Sequence, residues 1–266
     1  MLIRSTWTLT VSSTTVLPRT YGLELVKQLH QRLGLEMGGE DVASISYSGM
    51  LGYYSTSRDF LTFYPDYTYS LSLCGLQSRA AQAIQSLSFA STSLDLSPDL
   101  EFLGAKFNVI NREDSISSYE ELYTSLVANE PEPVRRFDLQ FTTPTAFAQN
   151  KSYLPLPLPA LMFRSWLSRW NNFAPVYLGS DELIAYLSNA IVLRHHKIQT
   201  RALQMHRGYV NGFVGEVTLQ VLNRADPLLA NVANLLVQYA RFAGTGIKTR
   251  LGMGQTEVYL ENLRQE

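Results

Sequence analysis

The 266-residue chain has a single cysteine, Cys74, which excludes a disulfide framework and any cysteine-based zinc cluster. That residue reads as a small buried hydrophobe in a strand. No apolar run approaches the ~18 residues of a membrane span. The amino-terminal MLIRSTWTLTVSS alternates instead of forming the continuous apolar core of a signal peptide, so a soluble cytoplasmic protein is expected. Acids are sparse in the second half, which disfavours a two-metal nuclease, and no nucleophile elbow, zinc-binding helix or paired-carboxylate constellation occurs. No metal site or cofactor is expected from these residues.

Hydrophobic residues make up 45% of the chain, enough to drive folding, and the length suits about two domains. Lys+Arg number 22 against 23 Asp+Glu, a net charge of −1, but the balance is uneven. Residues 1–130 carry 8 basic and 14 acidic side chains (8 − 14 = −6), and residues 131–266 carry 14 and 9 (14 − 9 = +5). A basic half can attract a polyanion; scattered solvated arginines would give the same count.

Alternating β-formers predict a strand over Ile3–Val11. Pro18 marks a turn, Thr20 is a candidate helix cap, and Leu25, Leu29 and Leu33 predict a helix that Gly34 stops. Strands at Ala43–Ser48 and Tyr67–Leu73, a helix at Gln77–Leu87 and a strand at Phe102–Ile110 complete a βαββαβ order, with an insertion of uncertain structure at 49–66 and a further helix at 118–128. Asn129-Glu-Pro131-Glu-Pro133 is the best domain boundary, giving domains 1–130 and 131–266. The second half begins with a strand at Val134–Phe141. Helices follow at about 159–171 and 181–191, the second capped by Ser180, then strands at about 193–205 and 209–222. Asp226-Pro227 starts a helix that ends at Gly244, and a strand near Gln255–Leu260 closes the chain. The order is again βαββαβ, so an α+β fold of two tandem ferredoxin-like domains with a cleft between them is expected.

The most specific local signal is Gly244-Thr-Gly246-Ile-Lys248-Thr-Arg250-Leu-Gly252-Met-Gly254. Glycines permit positive φ and close backbone approach to a ligand, successive N–H groups can form an anion nest, and Lys248 and Arg250 add positive charge. The bland alternative is a flexible turn. A dinucleotide loop follows a strand and opens a helix, whereas this one follows a helix and opens a strand. A Walker loop has lysine directly after glycine, but Ile247 intervenes here. A nucleic-acid backbone therefore fits better than a nucleoside triphosphate.

A second signal is Arg194-His195-His196-Lys197-Ile-Gln199-Thr-Arg201, in a stretch with no acid from Leu183 to Gly215. On a strand, His195, Lys197, Gln199 and Arg201 share one face, suited to phosphates and base edges; a charged, solvated edge strand is the alternative. His30 borders the apolar face of the first helix and is either a general acid–base candidate or an interface histidine. Tyr47 and Ser48, at the end of the next strand, offer hydroxyls that could orient a ribose or phosphate, or are plain strand residues.

Taken together, these segments resemble the CRISPR-associated repeat-processing endoribonucleases of the RAMP superfamily. The Gly244–Gly254 loop is similar to that family's carboxy-terminal hallmark. Phe213-Val-Gly215-Glu-Val-Thr-Leu-Gln-Val221, Phe141-Thr-Thr-Pro144-Thr-Ala-Phe147 and Leu17-Pro18-Arg-Thr-Tyr21-Gly22 resemble other family segments. The resemblance implies two ferredoxin-like domains with RNA across their cleft. It also implies metal-independent cleavage of precursor CRISPR RNA within repeats by 2′-hydroxyl attack, with His30 as acid or base beside Tyr47 and Ser48. RNA contacts are expected from Arg194, Lys197, Arg201, Gly244, Gly246, Lys248, Arg250, Gly252 and Gly254. Its partners are precursor and mature guide RNA, with a homodimer and association with effector-complex subunits left open. The alternative is a non-catalytic RNA-binding subunit of an effector complex.

Overall fold

The computed structural model describes residues 1–38, 42–88 and 99–259. The first half runs β1 (Leu2–Thr10), β2 (Thr15–Pro18), α1 (Gly22–Leu33), β3 (Ile45–Tyr47), β4 (Leu51–Gly52), β5 (Tyr54–Thr56), β6 (Phe60–Phe63), β7 (Tyr69–Gly75), α2 (Ser78–Ser86), β8 (Asp99–Phe102) and β9 (Ala105–Ser117). The short helix α3 (Tyr119–Tyr123) continues into one π-helical turn, Thr124–Ala128. The second half runs β10 (Arg136–Thr145), β11 (Phe147–Gln149), β12 (Ser152–Leu154), α4 (Pro159–Phe173), α5 (Asp181–Ala190), β13 (Ile191–Gln204), β14 (Tyr209–Val221), α6 (Pro227–Ala243) and β15 (Thr256–Tyr259). The expected closing strand extends to Leu260, which lies outside the described residues.

Each half builds one main antiparallel sheet, and β11 and β12 pair as a separate hairpin in the second half. The first is ordered β3-β7-β1-β9-β8 and the second β13-β14-β10-β15. Apart from the β8 hairpin strand, the two orders are the same ferredoxin-like order, and the chain is an α+β protein of two such units. The stretch at 49–66 forms β4, which pairs with β7, and β5 and β6, which join β2 in a separate three-stranded sheet.

Local sequence explains most of the elements. Leu25, Val26, Leu29 and Leu33 of α1 face the core, and Gly34 ends the helix in the left-handed region, φ +64°, where a side chain would be strained. Thr20 is not the cap. The Tyr21 N–H donates to Pro18 O at 3.0 Å, and Tyr21 itself enters with helical φ and ψ and no side-chain cap, so a backbone turn does the work assigned to the threonine. Ser180 occupies the cap position of α5 without a side-chain hydrogen bond. Asp226 does cap α6, accepting from Leu228 N at 2.7 Å, with Pro227 in the first turn.

Two large apolar cores result, one under each main sheet, with a small third cluster of Ala146, Val210 and Met253. The second also takes in Leu2, Leu76, Tyr119 and Val127 from the first half, so α3 and its π-turn pack on the second half. The Tyr119 hydroxyl donates to Leu76 O (2.9 Å) and shares a hydrogen bond with the Tyr239 hydroxyl (3.3 Å). Arg4 of β1 makes a two-pronged ion pair with Glu257 of β15 and donates to Thr256 O. Desolvation offsets much of the Coulomb energy of such a pair. It joins the first strand of one sheet to the last strand of the other.

Candidate active site

Gly244 follows α6 with φ +66°, and Gly246, Lys248, Gly252 and Gly254 also have positive φ. The reason is internal. A Cβ on Gly246 would overlap the Ala146 carbonyl oxygen, and one on Gly254 would overlap that of Thr245. The loop amides are also engaged: Thr245 N–H with Gly254 O (2.8 Å), Gly246 N–H with Ser165 Oγ (2.9 Å), Ile247 N–H with Ala146 O (2.9 Å) and Gly254 N–H with Pro144 O (3.0 Å). Gly244, Gly246, Gly252 and Gly254 are buried. The expected close approach to a ligand is therefore an approach to the protein's own backbone. The glycines shape the loop, and along most of its length no open anion nest is left.

What the loop presents is its tip. Thr249–Leu251 forms a 3-10 turn that packs on β3 and α1 of the other half. A cavity of about 330 Å³ lies there, lined by His30, Ser44, Gln77, Arg79 and Arg250 among others. His30 and Arg250, 220 positions apart in sequence, thus face one space. His30 is 5% exposed, and its ring centroid is 5.6 Å from that of Tyr47.

Tyr47 is 1% exposed. Burial pushes its phenol well above the usual tyrosine range, and the nearby Arg250 charge only partly opposes this. The group holds its proton near neutral pH, so its hydroxyl can donate a hydrogen bond as well as accept one. Ser48 serves differently from expectation. Its hydroxyl accepts from Ser72 N–H (2.8 Å) and donates to Gly49 O (2.6 Å), which ties the end of β3 to β7.

The basic stretch forms β13, the edge strand of the second sheet. Arg194, His195, His196, Lys197, Gln199 and Arg201 are exposed. Arg194 sits at a register shift between Leu193 and His195 and donates to Gln220 Oε1 (3.1 Å). Gln199 and Arg201 reach a cleft of about 720 Å³ between the two halves, which also takes in Arg19, Tyr21, Ser48 and His206. Lys248 leans over the Tyr153 ring, 5.8 Å from its centroid, and lines a further cavity of about 580 Å³ with Arg164, Arg169 and Arg250. The RNA-facing residues expected from sequence therefore divide into an edge strand, an inter-half cleft and a loop tip.

Residues 139–256 match the family described as CRISPR-associated endoribonuclease Cas6. Curated proteins of that description from Streptococcus thermophilus and Mycobacterium tuberculosis are each 30% identical, over 129 and 124 residues. The similarity to the Cas6 family lies in the second half of this chain. The alignments cover 48% and 47% of the chain and 52% and 39% of those proteins, so the chain matches about half of their length or less. The fold as a whole is similar to that in a Cas6 product complex, with a TM-score of 0.70 at 20% identity, covering 98% of this chain and 100% of that one. Thermus thermophilus Cas6 gives 0.68 at 21% identity over 97% and 98%. Among the described residues, no helix is long and apolar enough to cross a membrane.

Sequence reading missed Arg79, which lines the His30 cavity from α2, and the α4 side chains that hold the glycine-rich loop. Arg79 stands alone in α2, and Ser165, Trp166 and Arg169 of α4 carry no local motif.

Proposed function

We propose that this protein cleaves precursor CRISPR RNA within its repeats to release guide RNAs, in the cytoplasm and without a metal ion. The ribose 2′-hydroxyl loses its proton and attacks the adjacent phosphorus as the bond to the 5′-oxygen of the next nucleotide breaks. The upstream product carries a 2′,3′-cyclic phosphate and the downstream one a 5′-hydroxyl. The carrying observation is that His30 and Arg250 line one cavity. Such a reaction needs a group to move a proton and a cation where charge builds on the phosphate oxygens. His30 supplies the first and Arg250 the second. Tyr47, kept protonated by burial, supplies a donor beside the histidine. RNA crosses the inter-half cleft, where Gln199 and Arg201 reach it, and the prolines at 131 and 133 mark the boundary between the domains 1–130 and 131–266.

The test is incubation of purified protein with the organism's own repeat RNA in EDTA. Cleavage to a cyclic phosphate and a 5′-hydroxyl is expected. Cleavage abolished by EDTA would overturn the metal-free chemistry, and tight binding with no cleavage would move the assignment to an RNA-binding subunit of an effector complex.

A further inference from the structure

Helix α4 grips the glycine-rich loop with three side chains. Trp166 Nε1 donates to Thr245 Oγ1 (2.8 Å), which in turn shares a hydrogen bond with Thr256 Oγ1 (2.7 Å). Ser165 Oγ accepts from Gly246 N–H (2.9 Å). Arg169, one turn further along the helix, donates to Gly246 O (2.6 Å) and also to Ser165 O (3.2 Å) and Oγ (2.5 Å). Both polar groups of Gly246 are thus held by an i, i+4 pair on one helix.

Arg169 is an unusual choice for this work. It is partly buried, burial lowers its pKa, and among the described residues no carboxylate pairs with it. Retaining a desolvated cation without a counter-ion is costly. Here its rigid fork joins a hydroxyl on its own helix to one carbonyl of the loop, a geometry that lysine's single ammonium cannot reproduce. That carbonyl belongs to Gly246, held at φ +79°, four residues before Arg250.

We propose that Arg169 is a positioning residue for cleavage: with Ser165 it fixes the Gly246 peptide and thereby the path of the chain that delivers Arg250 to the His30 cavity. The inference rests on the function proposed above. Its reach is plausible in size, since misplacing a reacting group by about 1 Å costs on the order of 10² in rate.

The experiment is a double-mutant cycle on Arg169 and Arg250, read in single-turnover cleavage at saturating repeat RNA and, separately, in RNA affinity and its salt dependence. Arg169→Ala should slow cleavage by about 10- to 100-fold while affinity and salt slope stay unchanged. Arg169→Lys should fall between it and the wild type. In an Arg250→Ala background, Arg169→Ala should add less than about twofold, because residues acting through one another are not additive. Ser165→Ala, a smaller deletion at the same peptide, runs the same cycle if Arg169→Ala fails to fold. Multiplicative losses in the pair would overturn the inference. So would weaker binding with a salt slope flattened by about 0.7, the mark of a lost phosphate contact. An Arg250→Ala protein that cleaves at the full rate would remove the functional reading and this inference together, whereas a slow Arg250→Ala with a normal Arg169→Ala removes this inference alone.

Discussion

The β3-β7-β1-β9 sheet of the first half and the β13-β14-β10-β15 sheet of the second follow one strand order, but the corresponding edges differ. Edge strand β3 has three residues, all buried, because the loop tip from the other half packs on it. Edge strand β13 has fourteen, mostly exposed, and carries arginine, lysine and histidine, side chains that also protect an open edge from pairing with another chain. The charge follows the same division, −6 in residues 1–130 and +5 in 131–266. Topology sets where each strand lies. What covers or leaves open its edge decides whether it builds a closed chemical site or an open binding surface.

The sharpest way to break this comparison is at a glycine. Gly246→Val puts a side chain into the Ala146 carbonyl and forces a β-branched residue to φ +79°. A loss of about 2–6 kcal/mol in denaturant unfolding, combining backbone strain with overpacking, is expected, together with loss of cleavage. Gly34→Ala in the first half meets nothing within 4 Å at φ +64°. It should cost only about 1–2 kcal/mol and leave cleavage intact. Equal losses would show that the loop is no more constrained than an ordinary helix end.

His30→Ala should slow single-turnover cleavage by about 10²–10⁴ with little change in RNA affinity. An unchanged rate would return His30 to an interface role and empty the closed site of its proton carrier.

Tyr47 in the first half, Tyr119 between the halves and Tyr239 in the second are all buried, and burial raises all three phenols. Their folded values lie above the unfolded value of about 10, so their contribution is fully present below pH 10. Above it the unfolded chain ionises first and stability falls, by up to about 1.4 kcal/mol per pH unit for each tyrosine. Unfolding followed with tyrosinate absorbance should show this decline beginning near pH 10 and shrinking in Tyr239→Phe. A flat profile to pH 12 would contradict the buried placement.

The smallest effect concerns the open edge. Lys197→Ala and Arg201→Ala should each flatten the salt dependence of single-stranded RNA binding by about 0.7. Lys27→Ala, which removes a lysine already paired with Glu24 at 3.1 Å on the acidic half, should not. Equal slopes in all three would mean that β13 is merely a solvated edge.

Sequence made the element order legible because leucine spacing in α1, Asp226-Pro227 before α6 and the alternation in β1 are local signals. It did not reveal that residues 49–66 make β4, β5 and β6, since short strands with mixed burial have little periodicity. Nor did it show that Tyr119 and Val127, ahead of the prolines, pack into the second core. His30 and the glycine-rich loop were each visible alone. Their meeting through Arg250 was not, because it depends on how the two halves face each other, across contacts such as Arg4 with Glu257 and the loop tip on β3. The glycines were read as room for a ligand, but their close contacts turned out to be with Ala146 and Thr245.

The most direct test of the account is cleavage of a repeat RNA carrying a single deoxyribose immediately upstream of the cut, measured in EDTA beside the all-ribose substrate. Removing one hydroxyl takes away the nucleophile and no charge. Unchanged binding and no cleavage are expected, whereas cleavage of the deoxy substrate would contradict 2′-hydroxyl attack and, with it, the roles given to His30 and Arg250.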